Sequence, residues 1–286
     1  MGGRVIALVA VGIGLIAASA WAQSGQVVLG TTVYALHDLP SDAITGFTVP
    51  CPFGYFAVSA GVSRPGPGTA LLSVRPVGLR AFTFRFGNPA TNDATRVAVA
   101  VACRKTTGGP VFTMKPVKTR VVVSPGEIKS GTLTCSSQTT PAGAAVDLDP
   151  RRAKSVDSFA GAALSLRTST ASLRAFQFRI ANTGARAHDV LVQGNCATVL
   201  LGPDVERTRL NTKISTSTDP IAPGRHRVLH RCPSGWTALG AGYALNSVSV
   251  KIDGAAAIDA NGSWWVRNTA ASPVTARLQV ICARLR

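Results

Sequence analysis

The sequence predicts an all-β protein of three tandem disulfide-closed repeats, most simply three small β-sandwiches, and three observations carry that prediction. A short aromatic stretch recurs three times at a regular distance from a cysteine. Six cysteines fall in three opening and closing pairs. Apolar residues alternate with period two along the segments between them, and no stretch after the first 22 residues shows helical periodicity.

The chain opens with a leader. Residues 1–22 carry Arg4 in a short n-region, an apolar run from Val5 to Ala18, and an Ala20-Trp21-Ala22 site for cleavage before Gln23. This predicts export, and with it a secreted, periplasmic or cell-surface location. No later apolar run approaches the length of a membrane span, so none is expected after cleavage. An even number of cysteines in an exported chain predicts disulfides.

The repeat is read from RAFTFRFGN at 80–88, RAFQFRIAN at 174–182 and GSWWVRN at 262–268. From each final asparagine the next cysteine follows at a nearly fixed distance: Asn88 to Cys103 is 15, Asn182 to Cys196 is 14 and Asn268 to Cys282 is 14. Shared composition at fixed spacing marks an internal repeat. Val97, Val99 and Val101 lead to the first closing cysteine, Val190 and Val192 to the second, and Ala276, Leu278 and Val280 to the third. Residues two apart on a strand share a face, so each closing cysteine points with these side chains into a core.

The opening cysteines are Cys51, Cys135 and Cys232, each at the end of a predicted strand. Pro125-Gly126 and Pro223-Gly224 are turn signals before two of them. Opening-to-closing distances of 52, 61 and 50 pair Cys51 with Cys103, Cys135 with Cys196, and Cys232 with Cys282. The repeats run over 27–107, 108–204 and 205–286, the second with an insertion near 139–157. Turn signals divide each into six to eight short strands, which suits a sandwich. The alternative built from the same strands is one pseudo-threefold β-prism, with one sheet from each copy. Gly240-x-Gly242 lacks the third glycine and the helix that a dinucleotide fingerprint requires, Leu245 standing in that place. Gly61 and Gly242, each ten residues past an opening cysteine, instead predict a bulge or a close backbone approach, and Gly161 is their expected counterpart in the second copy.

The pattern Cys-Pro-x-Gly, a glycine-containing apolar strand, aromatic-x-aromatic ending in asparagine, and a closing cysteine resembles tandem Cys-paired β repeats of exported bacterial proteins of unassigned function. Cys51, Pro52, Gly54, Gly61, Asn88 and Cys103 carry the resemblance in the first copy. Cys232, Pro233, Gly235, Gly242, Asn268 and Cys282 carry it in the third. The second departs, with CSSQTTPAG in place of the compact turn. The resemblance implies location and fold, and no chemistry.

Catalytic signals are sparse. The four histidines sit in no nucleophile, zinc or phosphate motif. His226 and His230 have the spacing of a helical zinc pair, yet on a strand they stand roughly 13 Å apart, too far to share an ion. Asp147-x-Asp149 lacks the ligand spacing of a calcium loop. Asp253 and Asp259 are the pair a glycosidase reading would use. No catalytic residue, metal or cofactor is expected, and a hydrolase with an unrecognised carboxylate site stands as the enzymatic alternative.

Charge is more informative. Thirty basic residues against 13 acidic give +17, and 23 of the basic residues are arginine. Arginine holds phosphate, sulfate and carboxylate in two-point fashion, which suits an acidic polysaccharide or a cell-envelope polymer, while export argues against a specific nucleic-acid partner. On the aromatic strand, Phe82, Phe84 and Phe86 share one face with Phe176, Phe178 and Ile180 and with Trp264 and Val266. The opposite face carries Arg85, Arg179, Trp265 and Arg267, which are the ligand-binding candidates. The expected function is a non-catalytic binding module. A purely structural or self-associating surface protein is the alternative, its exposed strand edges pairing with other copies.

Overall fold

The computed structural model describes residues 28–285 apart from 90, 92, 107–110, 138, 149–163, 172–173, 201–209 and 248. The leader assigned to 1–22 lies outside them. All regular structure among the described residues is strand, six strands to each repeat. The first unit contains β1 (Val28–Leu39), β2 (Ala43–Pro50), β3 (Phe56–Arg64), β4 (Ala70–Val77), β5 (Ala81–Asn88) and β6 (Thr95–Thr106). The second contains β7 (Val111–Val123), β8 (Ile128–Thr134), β9 (Thr140–Leu148), β10 (Leu164–Ala171), β11 (Ala175–Asn182) and β12 (His188–Leu200). The third contains β13 (Leu210–Ile221), β14 (Gly224–Arg231), β15 (Thr237–Leu245), β16 (Val250–Ile258), β17 (Asn261–Asn268) and β18 (Val274–Leu285).

Every unit builds two antiparallel three-stranded layers, in the orders first-sixth-third and second-fifth-fourth. In the first unit these are β1-β6-β3 and β2-β5-β4. Alternation produces the core between them: Phe82, Phe84 and Phe86 of β5 meet Val97, Val99, Val101 and Cys103 of β6 in one buried cluster. The three disulfides pair as the spacing predicts, with Cα separations of 5.7, 5.7 and 5.8 Å. Each ties the end of one layer to the middle strand of the other. Loops of this size contribute about 4 kcal/mol per bond in the chain-entropy model.

The repeated asparagine has a structural cause. It ends the fifth strand buried, where a side-chain amide can satisfy carbonyls that no ladder reaches. Asn88 donates to Leu39 O and Asp93 O, Asn182 to Val123 O and Arg186 O, and Asn268 to Ile221 O and Ser272 O. In each unit it therefore pins the end of the first strand to the loop before the sixth.

The units close on one another. β4 pairs with β9 at Ser73 and Asp147, β10 pairs with β15, and β16 packs against β3. Each unit's fourth strand thus meets the third strand of the next in a pseudo-threefold ring, and the three third strands converge at its centre. All three carry a β-bulge at the same place, opposite the closing cysteine, where the extra residues are Val58, Ala142 and Leu239. These side chains are buried. The prism alternative supplies the symmetry but not the sheets, because each copy contributes two layers rather than one.

Glycine makes this approach possible. A Cβ on Gly61 would overlap the carbonyl oxygen of Ala255, and one on Gly240 would overlap that of Ala142. The expected close approach holds for Gly61, while in the third unit it is made by Gly240 beside the bulge rather than by Gly242, which pairs regularly with Gln279. Two expectations for the second unit are corrected. The place of Gly61, opposite Ala100, and of Gly242, opposite Gln279, is taken in β9 by Ala145, opposite Gln193. Gly161 lies outside the described residues. Since β9 occupies 140–148 in register with its counterparts, the additional length of the second unit falls at 149–163 rather than 139–157.

Candidate anion-binding face

The second-fifth-fourth layer of each unit turns one side to its core and the other outward. In the third unit this outer side belongs to β14, β17 and β16. Strand alternation puts Arg225, Arg227, Leu229 and Arg231 of β14 outward, and all four are exposed. Antiparallel pairing sets Arg225 opposite Arg267, and Arg227 opposite Trp265. On the other flank Lys251 lies opposite Arg267. Cross-strand partners project to the same side, so five cations share the side of the sheet that carries Trp265.

Asp253 is the only carboxylate on these three strands. It enters the outer side through a bulge in β16 between Ile252 and Gly254. Its Oδ2 accepts from Arg267 at 2.8 Å and lies 3.2 Å from Arg225 Nε. One carboxylate shared by two guanidiniums leaves the five cations with a formal surplus of four (5 − 1).

Trp265 is half-buried at the seam with the first unit. Its indole N–H donates to the carbonyl of Ser63 at the end of β3, and Arg225 lies over its ring with Cζ 5.3 Å from the centroid. Arg225 also reaches across the seam to Pro65 O at 3.2 Å. The ring is thus a platform already occupied by a guanidinium, not an open surface for stacking. Arg227 is placed differently, donating to Ser263 Oγ at 3.2 Å and standing close enough to Tyr34 of β1 for its charge to act on that phenol.

Of the four binding candidates read from sequence, the structure brings together Trp265 and Arg267. Arg85 and Arg179 occupy the position of Trp265 on the fifth strands of the other units, hence on different sheets. Arg85 is half-buried near the first seam, where it contributes with Arg75 and Arg120 to the field around Asp147. Arg179 is exposed among Ser130, Thr132 and Gln177. Sequence reasoning missed Arg225, Arg227, Arg231 and Lys251. The signal was available in the strand GRHRVLHR, whose arginines recur with period two.

Other constellations stay apart. His226 lies against Pro223 O and His230 against Ser215 Oγ. Asp253 lies at the bulge within β16 and Asp259 just past the end of that strand, six residues on and roughly 20 Å away along a strand, well beyond the separation of a glycosidase pair. Asp147 is buried in β9, and Asp149 lies outside the described residues. Among the described residues no three metal-ligating side chains gather, and no helix is long and apolar enough to cross a membrane. The three disulfides indicate an oxidising environment.

No protein-family model matches the chain, and no curated protein matches it.

Proposed function

We propose that the protein is an exported, non-catalytic binding module that holds an acidic glycan or cell-envelope polymer on the outer face of its third unit. The observation that carries this reading is the placement of Arg225, Arg227, Arg231, Lys251 and Arg267 on one side of one three-stranded sheet that carries a single carboxylate, Asp253. Guanidiniums fixed on adjacent strands offer two-point hydrogen bonding to sulfate, phosphate or uronate groups spaced along a chain. Fixing them in advance lowers the entropy lost on binding. Arg225 and Arg267 are partly neutralised by Asp253, so Arg227, Arg231 and Lys251 supply most of the attraction.

The test is binding of the oxidised protein to acidic and neutral polysaccharides at two salt concentrations. The reading expects saturable binding to an acidic polymer, weakened by salt, and weakened further in Arg227→Ala with Arg231→Ala. Equal affinity for neutral polymers, or affinity unchanged in that variant, contradicts it.

A second reading, self-association, draws on β1. Every other strand that ends a sheet carries lysine, arginine or proline, which discourage edge pairing, whereas VLGTTVYALHDL has none. Its Tyr34 and Leu36 are exposed. A sedimentation series that shows dimerisation abolished by Leu36→Lys supports that reading.

A further inference from the structure

The first unit ends in a tip crowned by an aromatic residue that neither sister unit has at that position. Two turns meet there, Pro52–Tyr55 after the opening cysteine and Gly78–Arg80 between β4 and β5. Phe53 stands 92% exposed at the summit, with Val77 and Leu79 also exposed. The tip is rigid. Tyr55 N donates to Pro52 O at 3.1 Å, Cys51 N to Arg80 O at 2.7 Å and Ala57 N to Leu79 O at 2.9 Å. Gly54 takes a φ of 83°, and the Cys51–Cys103 bond anchors the base.

Nothing in the turn itself demands an aromatic residue. The equivalent bonds recur elsewhere, Cys135 N to Arg174 O and Cys232 N to Ala260 O. At the position of Phe53 the second unit has Ser137 and the third has Ser234. A large apolar side chain held fully in water is unfavourable, and its presence in one turn of three points to something that covers it.

Charge identifies the cover. Arg80 donates to Pro52 O at 3.0 Å and lies over the Phe53 ring with Cζ 4.9 Å from its centroid. Lys105 sits over Tyr55 at 4.6 Å. No aspartate or glutamate occurs between Asp42 and Asp93, so neither turn of the tip carries a carboxylate. An apolar summit with cations and a tyrosine on its shoulders matches the layering of a membrane interface, acyl chains beneath anionic headgroups.

We propose that this tip docks on an anionic lipid surface, with Phe53 and Leu79 entering the acyl boundary and Arg80 and Lys105 meeting lipid phosphates. The contact is peripheral, reversible and separate from the third unit's face. The test is co-sedimentation of the oxidised chain with phosphatidylcholine vesicles prepared with and without phosphatidylglycerol. Binding is expected only where phosphatidylglycerol is present. Phe53→Ser restores the residue of the sister turns and should lower the partition coefficient about tenfold, while leaving acidic-polysaccharide binding unchanged. Phe53→Trp should give indole fluorescence quenched by brominated acyl chains. Partition undiminished in Phe53→Ser, equal binding to both vesicle types, or an unquenched indole overturns the proposal.

Discussion

The guanidinium of Arg104 donates to the main-chain carbonyl of Asp259, 155 positions later, at 3.1 Å. It also donates to Ala238 O, Thr31 O and Cys103 O, so each of its three nitrogens is bonded to backbone while the side chain is fully buried. Asp259 completes the joint through Thr32, whose hydroxyl donates to its carboxylate at 3.2 Å. Burial pushes the guanidinium down to about 10, which leaves it charged at neutral pH. The first and third units are thereby bolted together by a cation satisfied entirely by carbonyls.

Removing the bolt orphans those carbonyls. Arg104→Ala should lower the unfolding free energy by on the order of 3 kcal/mol, read from urea denaturation, and Arg104→Met should recover little because it restores volume without donors. Wild-type stability in Arg104→Met would mean that the carbonyls find other partners.

Gly61 is the steric counterpart. A Cβ there meets backbone rather than a side chain that can swing aside. Gly61→Ala should therefore cost about 2 kcal/mol or more, appearing as a lower urea midpoint. An unchanged midpoint would show that β3 and β16 can separate at no cost, contrary to a closed ring.

Asp147 is a buried carboxyl at the opposite seam, with Arg75 3.7 Å away. Burial raises its pKa above the usual 3.8, against the pull of Arg75, Arg85 and Arg120. The native state then holds the proton more readily than the unfolded chain. Stability from this group is greatest below pH 3.8 and is lost as pH rises through the raised native value. Asp147→Asn should unfold at a higher urea concentration than wild type at pH 7, with the advantage gone by about pH 3. A lower midpoint at pH 7 would show that pairing with Arg75 outweighs burial.

The sandwich of each unit was legible because its determinants are local or periodic. Alternation assigned Phe82, Phe84, Phe86 and Trp264 to the core and Arg85, Arg179, Trp265 and Arg267 to the opposite side. Spacing paired the cysteines. Closure of the ring was legible only as the symmetry of the prism alternative, because its contacts run between units: Gly61 and Gly240 meet the backbones of Ala255 and Ala142, and Ala100 packs with Ala256 and Ile258. The site was half legible for the same reason. Trp265 and Arg267 share a strand, whereas Arg225 and Asp253 reach them only through the pairing of β14 and the bulge of β16.

The central functional claim is that one face, on one unit, holds the polymer. Amide hydrogen exchange of the oxidised protein with and without a saturating acidic polysaccharide tests it most directly. The account predicts slowed exchange in 224–231 and 261–268, with 128–134 and 175–182 of the second unit unaffected. Protection spread evenly over the three units, or confined to the second, would contradict it.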